Sequence, residues 1–144
     1  MATDLNAQWV KVRTLTHADA DVDIANTVAS ISCAPLTAPS NNTHVVILDS
    51  LIRERIQMAG NAGTLVLDIG VSGTTEEIAK DVSLKATSGT NTLGSATTSV
   101  KPRLIRPKGY IPLLTLTSSS GNLSTLTAGE VDIFLLVGAA PALN

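Results

Sequence analysis

Hydrophobic and polar residues alternate along most of this chain, and alternation is the period of a β-strand. In residues 8–17, QWVKVRTLTH, the residues Val10, Val12, Thr14 and Thr16 fall on one face and Lys11 and Arg13 on the other. Residues 26–33, NTVASISC, set Val28, Ser30 and Ser32 against Ala29, Ile31 and Cys33. THVVILD, 43–49, is β-branched and apolar on both faces, as a central strand would be. Residues 51–58 fit two templates: Leu51, Ile52, Arg55 and Ile56 make a helical stripe, whereas Ile52, Glu54, Ile56 and Met58 make one face of a strand. The GNAG turn at 60–63 and the TLVLDIG strand at 64–70 favour the strand. In SGTTEEIAKD, Thr74 and Glu77 have capping-box spacing, which predicts one or two helical turns.

A long Ser/Thr-rich stretch follows, then KPRLIRPKG, whose two prolines confine it to an edge or a loop. YIPLLTLTSSS, 110–120, reads as a strand, GNLSTLTAGE as a connector, and 130–138 as the closing strand. There Val131, Ile133, Leu135 and Val137 share one face; Asp132, Phe134 and Leu136 share the other. The expectation is all-β: an antiparallel jelly-roll-like β-sandwich of about eight strands with one short helix. It would comprise an N-terminal arm (1–8), one sandwich domain (9–138) and a C-terminal tail (139–144).

Composition narrows the function classes. The 144 residues carry a formal net charge of −2, which points to neither nucleic acid nor an anionic membrane as partner. Charged residues are only 15% against a typical ~25%, so Ser, Thr, Asn and Gly must build much of the surface. Cys33 is the single cysteine, which excludes an intrachain disulfide and fits folding in a reducing cytoplasm. The first residues lack a basic segment followed by an apolar one, so no secretion signal is expected, and no apolar run approaches the ~18 residues of a membrane helix.

Catalytic patterns are missing. Asp19, Asp21 and Asp23 alternate as in a calcium loop, but Ile24 and Ser30 stand where the turn glycine and bidentate glutamate belong. They read as a solvated acidic loop. His17 and His44 have no ligand spacing, Cys33 reads as a buried thiol, and no nucleophile elbow, phosphate loop or dinucleotide fingerprint is present. No cofactor and no metal are expected, and the chain does not read as an enzyme. Lys101, Arg103, Arg106 and Lys108 form a basic cluster, with Arg53 and Arg55 as candidate neighbours, that can serve as a protein contact. A carbohydrate-binding β-sandwich, using Trp9 or Tyr110 as a sugar platform, is the alternative, although three aromatic residues are few for that role.

The last third carries a resemblance. SGNLSTLTAGEVDIFLLV, residues 120–137, resembles the C-terminal signature of tailed-bacteriophage head decoration (cement) proteins, minor capsid structural proteins in which a GGNLSALTAGEV-like connector leads into an apolar closing strand. KPRLIRPKGYIP is more basic and proline-rich than that pattern. The resemblance implies a jelly-roll-like virion protein on the capsid surface, made in the host cytoplasm. It would be a homo-oligomer, a trimer or else a dimer, that bridges major capsid protein subunits. It carries over no catalytic residues. The expected interface residues are Phe134, Leu136, Arg53, Arg55, Arg103, Arg106 and Lys108. An apolar second face on the closing strand needs cover, from the same chain or from a neighbouring subunit, and the subunit is the expected cover.

Overall fold

The computed structural model describes residues 7–37, 44–71, 74–84, 90–93 and 104–139. Its strands are β1 (Gln8–Thr16), β2 (Val28–Ser32), β3 (His44–Gly60), β4 (Leu65–Val71), β5 (Thr74–Ser83), β6 (Thr90–Leu93), β7 (Leu104–Pro107), β8 (Leu113–Ser118) and β9 (Leu126–Ala139). A 3-10 turn, Leu123–Thr125, is the single helical element among the described residues.

The pairings are nested. β1 pairs with β9, β2 with β8, β3 with β6 and β7, and β4 with β5, all antiparallel. The chain is therefore a long ribbon folded back on itself and rolled into two sheets. One sheet runs β1-β9-β3, with β6 and β7 sharing the far edge of β3; the other runs β2-β8-β4-β5. That order is a jelly roll.

Alternation supplies the core. Ala29 and Ile31 of β2, Leu65, Leu67 and Ile69 of β4, and Leu114 and Leu116 of β8 point inward from one sheet. Val45, Ile47 and Ile52 of β3 and Val131, Ile133, Leu135 and Val137 of β9 meet them from the other. Cys33 joins this core, and burial pushes its thiol up to about 12, with Arg13 pulling weakly the other way. Segment 33–37 laces the sheets together along one side. Ala34 N–H donates to Val12 O (3.1 Å), Cys33 N–H to Pro112 O (2.9 Å) and Leu36 N–H to Tyr110 O (2.8 Å).

Local pattern misleads in three places. One or two helical turns were expected within 72–81, but Thr74–Ser83 forms β5 against β4, so the one short helix of the expected fold is absent there. Thr74 begins that strand instead of capping a helix; ladder hydrogen bonds to β4 outweigh a single local cap. Asp68 accepts the Asp81 N–H at 2.7 Å, steadying Asp81 at φ +52° beside a register shift. The strands expected at 43–49 and 51–58 are one seventeen-residue strand, β3. In β1 a bulge between Lys11 and Arg13 reverses the alternation, so Val12 and Leu15 are both buried, and Thr14 and Thr16 leave the face they were expected to share with Val12.

The C-terminal motif works as a fastening. Gly121 (φ +68°) lies against Asn61, where a Cβ would strike the Asn61 carbonyl. Leu123 and Leu126 are buried, and Leu123 N–H donates to Asn26 O at 2.8 Å. Gly129 (φ +144°) lets β9 pass directly over Met58, itself fully buried. The Ser118 hydroxyl contacts the carbonyls of Ala62, Ser120 and Gly121 beneath the same turn.

Candidate protein interface

The candidate site is the outer face of the β1-β9-β3 sheet. With Val131, Ile133, Leu135 and Val137 committed to the core, Asp132, Phe134 and Leu136 must face outward. Register fixes their neighbours. Leu136 lies opposite Trp9 of β1 and Asp49 of β3; Phe134 lies opposite Lys11 and Leu51; Asp132 lies opposite Thr14 and Arg53. A bulge at Leu48 and Asp49 turns Asp49 to this outer face, and its carboxylate accepts the Ser50 N–H at 2.8 Å.

The face has two halves. One is apolar: Trp9 is 42% exposed, Phe134, Leu136 and Leu51 are half-buried, and Ile105 of β7 is exposed opposite Val46. The Arg53 guanidinium stands 5.7 Å from the centre of the Phe134 ring, a cation–π distance. The other half is a closed polar network. Arg55 Nε reaches Asp132 Oδ2 at 2.7 Å and one of its terminal nitrogens reaches Glu130 Oε1 at 2.8 Å. Thr14 Oγ1 donates to Asp132 Oδ1 at 2.7 Å. Asp132 is only 5% exposed, so these donors are what make its burial tolerable.

Arg53 and Arg55 do not join Arg106. Arg106 pairs with Val45 near the start of β3, whereas Arg53 lies eight residues further along that strand, roughly 26 Å away at ~3.3 Å per residue. Arg55 is occupied by Glu130 and Asp132 and does not belong with Arg106. Arg106 sits over the Tyr110 ring at 6.0 Å; burial raises the Tyr110 phenol, and Arg106 offsets part of that rise. Lys108 is exposed in the turn after β7, beside Gly109 (φ +86°). Lys101 and Arg103 lie outside the described residues, as do 1–6 of the expected arm and 140–144 of the expected tail; Gln8 and Ala139 themselves belong to strands.

The remaining candidates have structural work. Arg13 clamps the acidic loop, contacting Asp19 (2.8 Å), Asp21 (3.1 Å) and Ser32 O (2.9 Å). Partial burial alone would raise the Asp19 carboxyl, but the Arg13 hydrogen bond, the Asp21 N–H and the Arg13 charge outweigh it, leaving the carboxyl below its usual range. The same contacts raise Arg13, led by the Asp19 hydrogen bond. His17 and His44 stand at opposite ends of β3 and β9 and do not converge. Among the described residues, no His, Cys, Asp or Glu cluster can hold a metal ion, and no helix is long and apolar enough to cross a membrane.

Sequence alternation could have found Trp9, since it shares parity with Lys11. Asp49 and Leu51 required the bulge and the register.

No family model and no curated protein matches the sequence. Among solved structures, a chain of the Cyanophage Pam1 capsid asymmetric unit matches with TM-score 0.60 at 14% identity, over 94% of this chain and 86% of that one. A chain of the capsid of Ralstonia phage GP4 gives TM-score 0.42 at 14% identity, over 83% and 89%. A family two carbohydrate esterase from Cellvibrio japonicus gives TM-score 0.26 at 14% identity, over 95% of this chain and 37% of that one. The first likeness runs nearly from end to end of both chains and is a likeness of fold.

Proposed function

We propose that this chain is a tailed-phage capsid decoration (cement) protein: a virion structural component that self-associates and bridges major capsid protein subunits. The observation that carries the reading is the outer sheet face, with Trp9 42% exposed beside the half-buried Phe134 and Leu136. A sheet face of this kind works by area, and cement needs area: contacts of modest strength, repeated over a lattice, add up to a large effect. The end-to-end fold likeness to a chain from a phage capsid supports the same reading, as does the SGNLSTLTAGEV resemblance.

The interface residues then divide between two surfaces. Phe134, Leu136 and Arg53 serve the outer face. Arg106 and Lys108, at the β7 turn some distance away, serve a second contact, to which the sequence assigns Arg103 as well. Arg55, held by Glu130 and Asp132, serves the polar half of the same outer face.

The test is co-sedimentation of purified protein with expanded capsids, together with mass spectrometry of virions. Saturable binding and a virion stoichiometry in the hundreds are expected. Absence from the virion removes the reading. Binding of glycans, reported by the fluorescence of Trp9, the only tryptophan, would favour the carbohydrate-binding alternative instead.

A further inference from the structure

Of the four sheet edges among the described residues, three are obstructed. β1 carries a bulge between Lys11 and Arg13, and its Val12 carbonyl already takes the Ala34 N–H. The far edge of β3 is occupied by β6 and β7, strands of four residues each, the second ending at Pro107. β5 follows β4 through two register shifts, and Lys80 and Asp81 lie in one of them. Short strands, bulges, charges and proline are what keep an edge from accepting another strand. β2, Val28–Ser32, has none of these: it is uncharged and keeps continuous register with β8.

The phase of β2 follows from its ends. Ser118 N–H donates to Thr27 O (2.8 Å) and Cys33 N–H to Pro112 O (2.9 Å). In an antiparallel ladder every second residue bonds across to a given neighbour. Ala29 and Ile31 therefore bond to β8, and Val28, Ser30 and Ser32 turn their N–H and C=O groups outward. Side chains fill two of those outward groups. One Arg13 terminal nitrogen donates to Ser32 O at 2.9 Å, while the other holds Asp19 (2.8 Å) and Asp21 (3.1 Å). At the opposite end Asn26 Oδ1 accepts the Thr27 N–H at 2.7 Å and the Val28 N–H at 3.4 Å.

We propose that Arg13 is a guard: anchored by Asp19 and Asp21, it keeps β2 from pairing with the β2 strand of a second copy. The pairing it prevents is antiparallel, about a twofold axis at Ser30. There Ser30 exchanges both bonds with its counterpart, Ala29 faces the counterpart of Ile31, and Val28 faces the counterpart of Ser32. In that register Val28 N–H donates to the opposite Ser32 O. Asn26 fills the donor end of that bond and Arg13 the acceptor end, and the twofold repeats both. Arg13 is the stronger of the two, because it is ionised and its planar fork engages strand and acidic loop together. The bulge in β1 thereby acts on the other sheet, by delivering the guanidinium to β2. The inference rests on the β2 edge alone, not on capsid binding or on the outer face of the other sheet.

Sedimentation velocity and residue-resolved amide hydrogen exchange on the full chain test it. In the parent, the Ser30 amide should exchange at least ~100-fold faster than those of Ala29 and Ile31. Arg13→Ala should form an assembly larger than the parent's, with the Ser30 and Ser32 amides slowed at least ~10-fold on association. Adding Ser30→Pro should restore the parent's size, because proline there removes no bond to β8 and blocks an incoming strand. Circular dichroism verifies that each variant is folded. If Arg13→Ala is not, Arg13→Lys replaces it, keeping a charge beside Asp19 and Asp21 without the fork that reaches Ser32 O. An Arg13 variant of parental size at every concentration overturns the proposal. So does an enlargement that survives Ser30→Pro or leaves the Ser30 amide unprotected, and so does a parent whose Ser30 amide is already protected.

Discussion

Gly129 is the position where the C-terminal motif bears most directly on stability. A methyl group there would overlap Met58 Sδ and stand 3.1 Å from Met58 Cα, at a backbone φ of +144°. Two costs follow. Holding an L-residue in that region of φ costs about 1–2 kcal/mol. Forcing a methyl against a fully buried side chain and its backbone costs about 1–3 kcal/mol more. Gly129→Ala should therefore destabilise by about 2–5 kcal/mol, a large share of the ~5–15 kcal/mol of a typical domain. At ~2–4 °C per kcal/mol for a chain of this size, the melting temperature should fall by roughly 4–20 °C. Gly109→Ala is the matched control. Its φ is +86°, but nothing lies within 4 Å of the added Cβ, so only the conformational cost applies. Calorimetry and urea denaturation of the two variants, each against the parent, separate the terms. Equal losses at Gly109 and Gly129 would refute the reasoning, because the close approach to Met58 would then count for nothing.

Three further outcomes are expected. Asp19 has a lowered carboxyl pKa, so its contribution is present above the unfolded value of ~3.9 and is lost as pH falls through the folded value; Asp19→Asn should melt below the parent at pH 7, and the gap should close as pH falls below the unfolded value, as followed by thermal melts across pH. Cys33, pushed up to about 12 inside the core, should resist a thiol reagent at pH 8 in the native protein and react fully in denaturant, which a colorimetric thiol assay reads directly. Asp132→Ala should cost about 1–2 kcal/mol in urea denaturation, a figure discounted because Arg55 is 43% exposed, by stranding the Thr14 hydroxyl and leaving Arg55 with Glu130 alone.

Where burial is one-sided, the sequence is easy to read. Ala29 and Ile31 against Ser30 and Ser32, and Val131 through Val137 against Asp132, Phe134 and Leu136, announce their faces because a period of two has only two phases. What escapes is whatever depends on a distant partner. The bulge at Lys11 and Arg13 is invisible in QWVKVRTLTH, since its use is to bring Arg13 to Asp19, Asp21 and Ser32. The strand nature of Thr74–Ser83 lies in β4, not in its own residues, and a Thr and a Glu three apart offer a cap only to a chain with no ladder to join. The arginines looked adjacent because proximity along the chain says nothing of register; β3 is long enough to hold Arg53 and the partner of Arg106 far apart. Phe134 and Leu136 could be placed on a face from the sequence, but Asp49 and Lys11, which flank them, needed three strands aligned.

The place of β9 also governs how the fold is reached. It comes last in order among the described strands, yet it sits in the middle of its sheet between β1 and β3. A ribosome delivering this chain exposes those two strands with nothing between them until β9 emerges, so half the sandwich has no scaffold to grow on. Partners such as Gln8 and Val137 must find each other across nearly the whole polypeptide. Loop closure on that scale makes for slow folding, in the millisecond-to-second range of sandwiches rich in non-local contacts. It also makes assembly late by construction: the strand that carries Phe134 and Leu136 is the one that joins β1 to β3, so the face they form does not exist until β9 has docked.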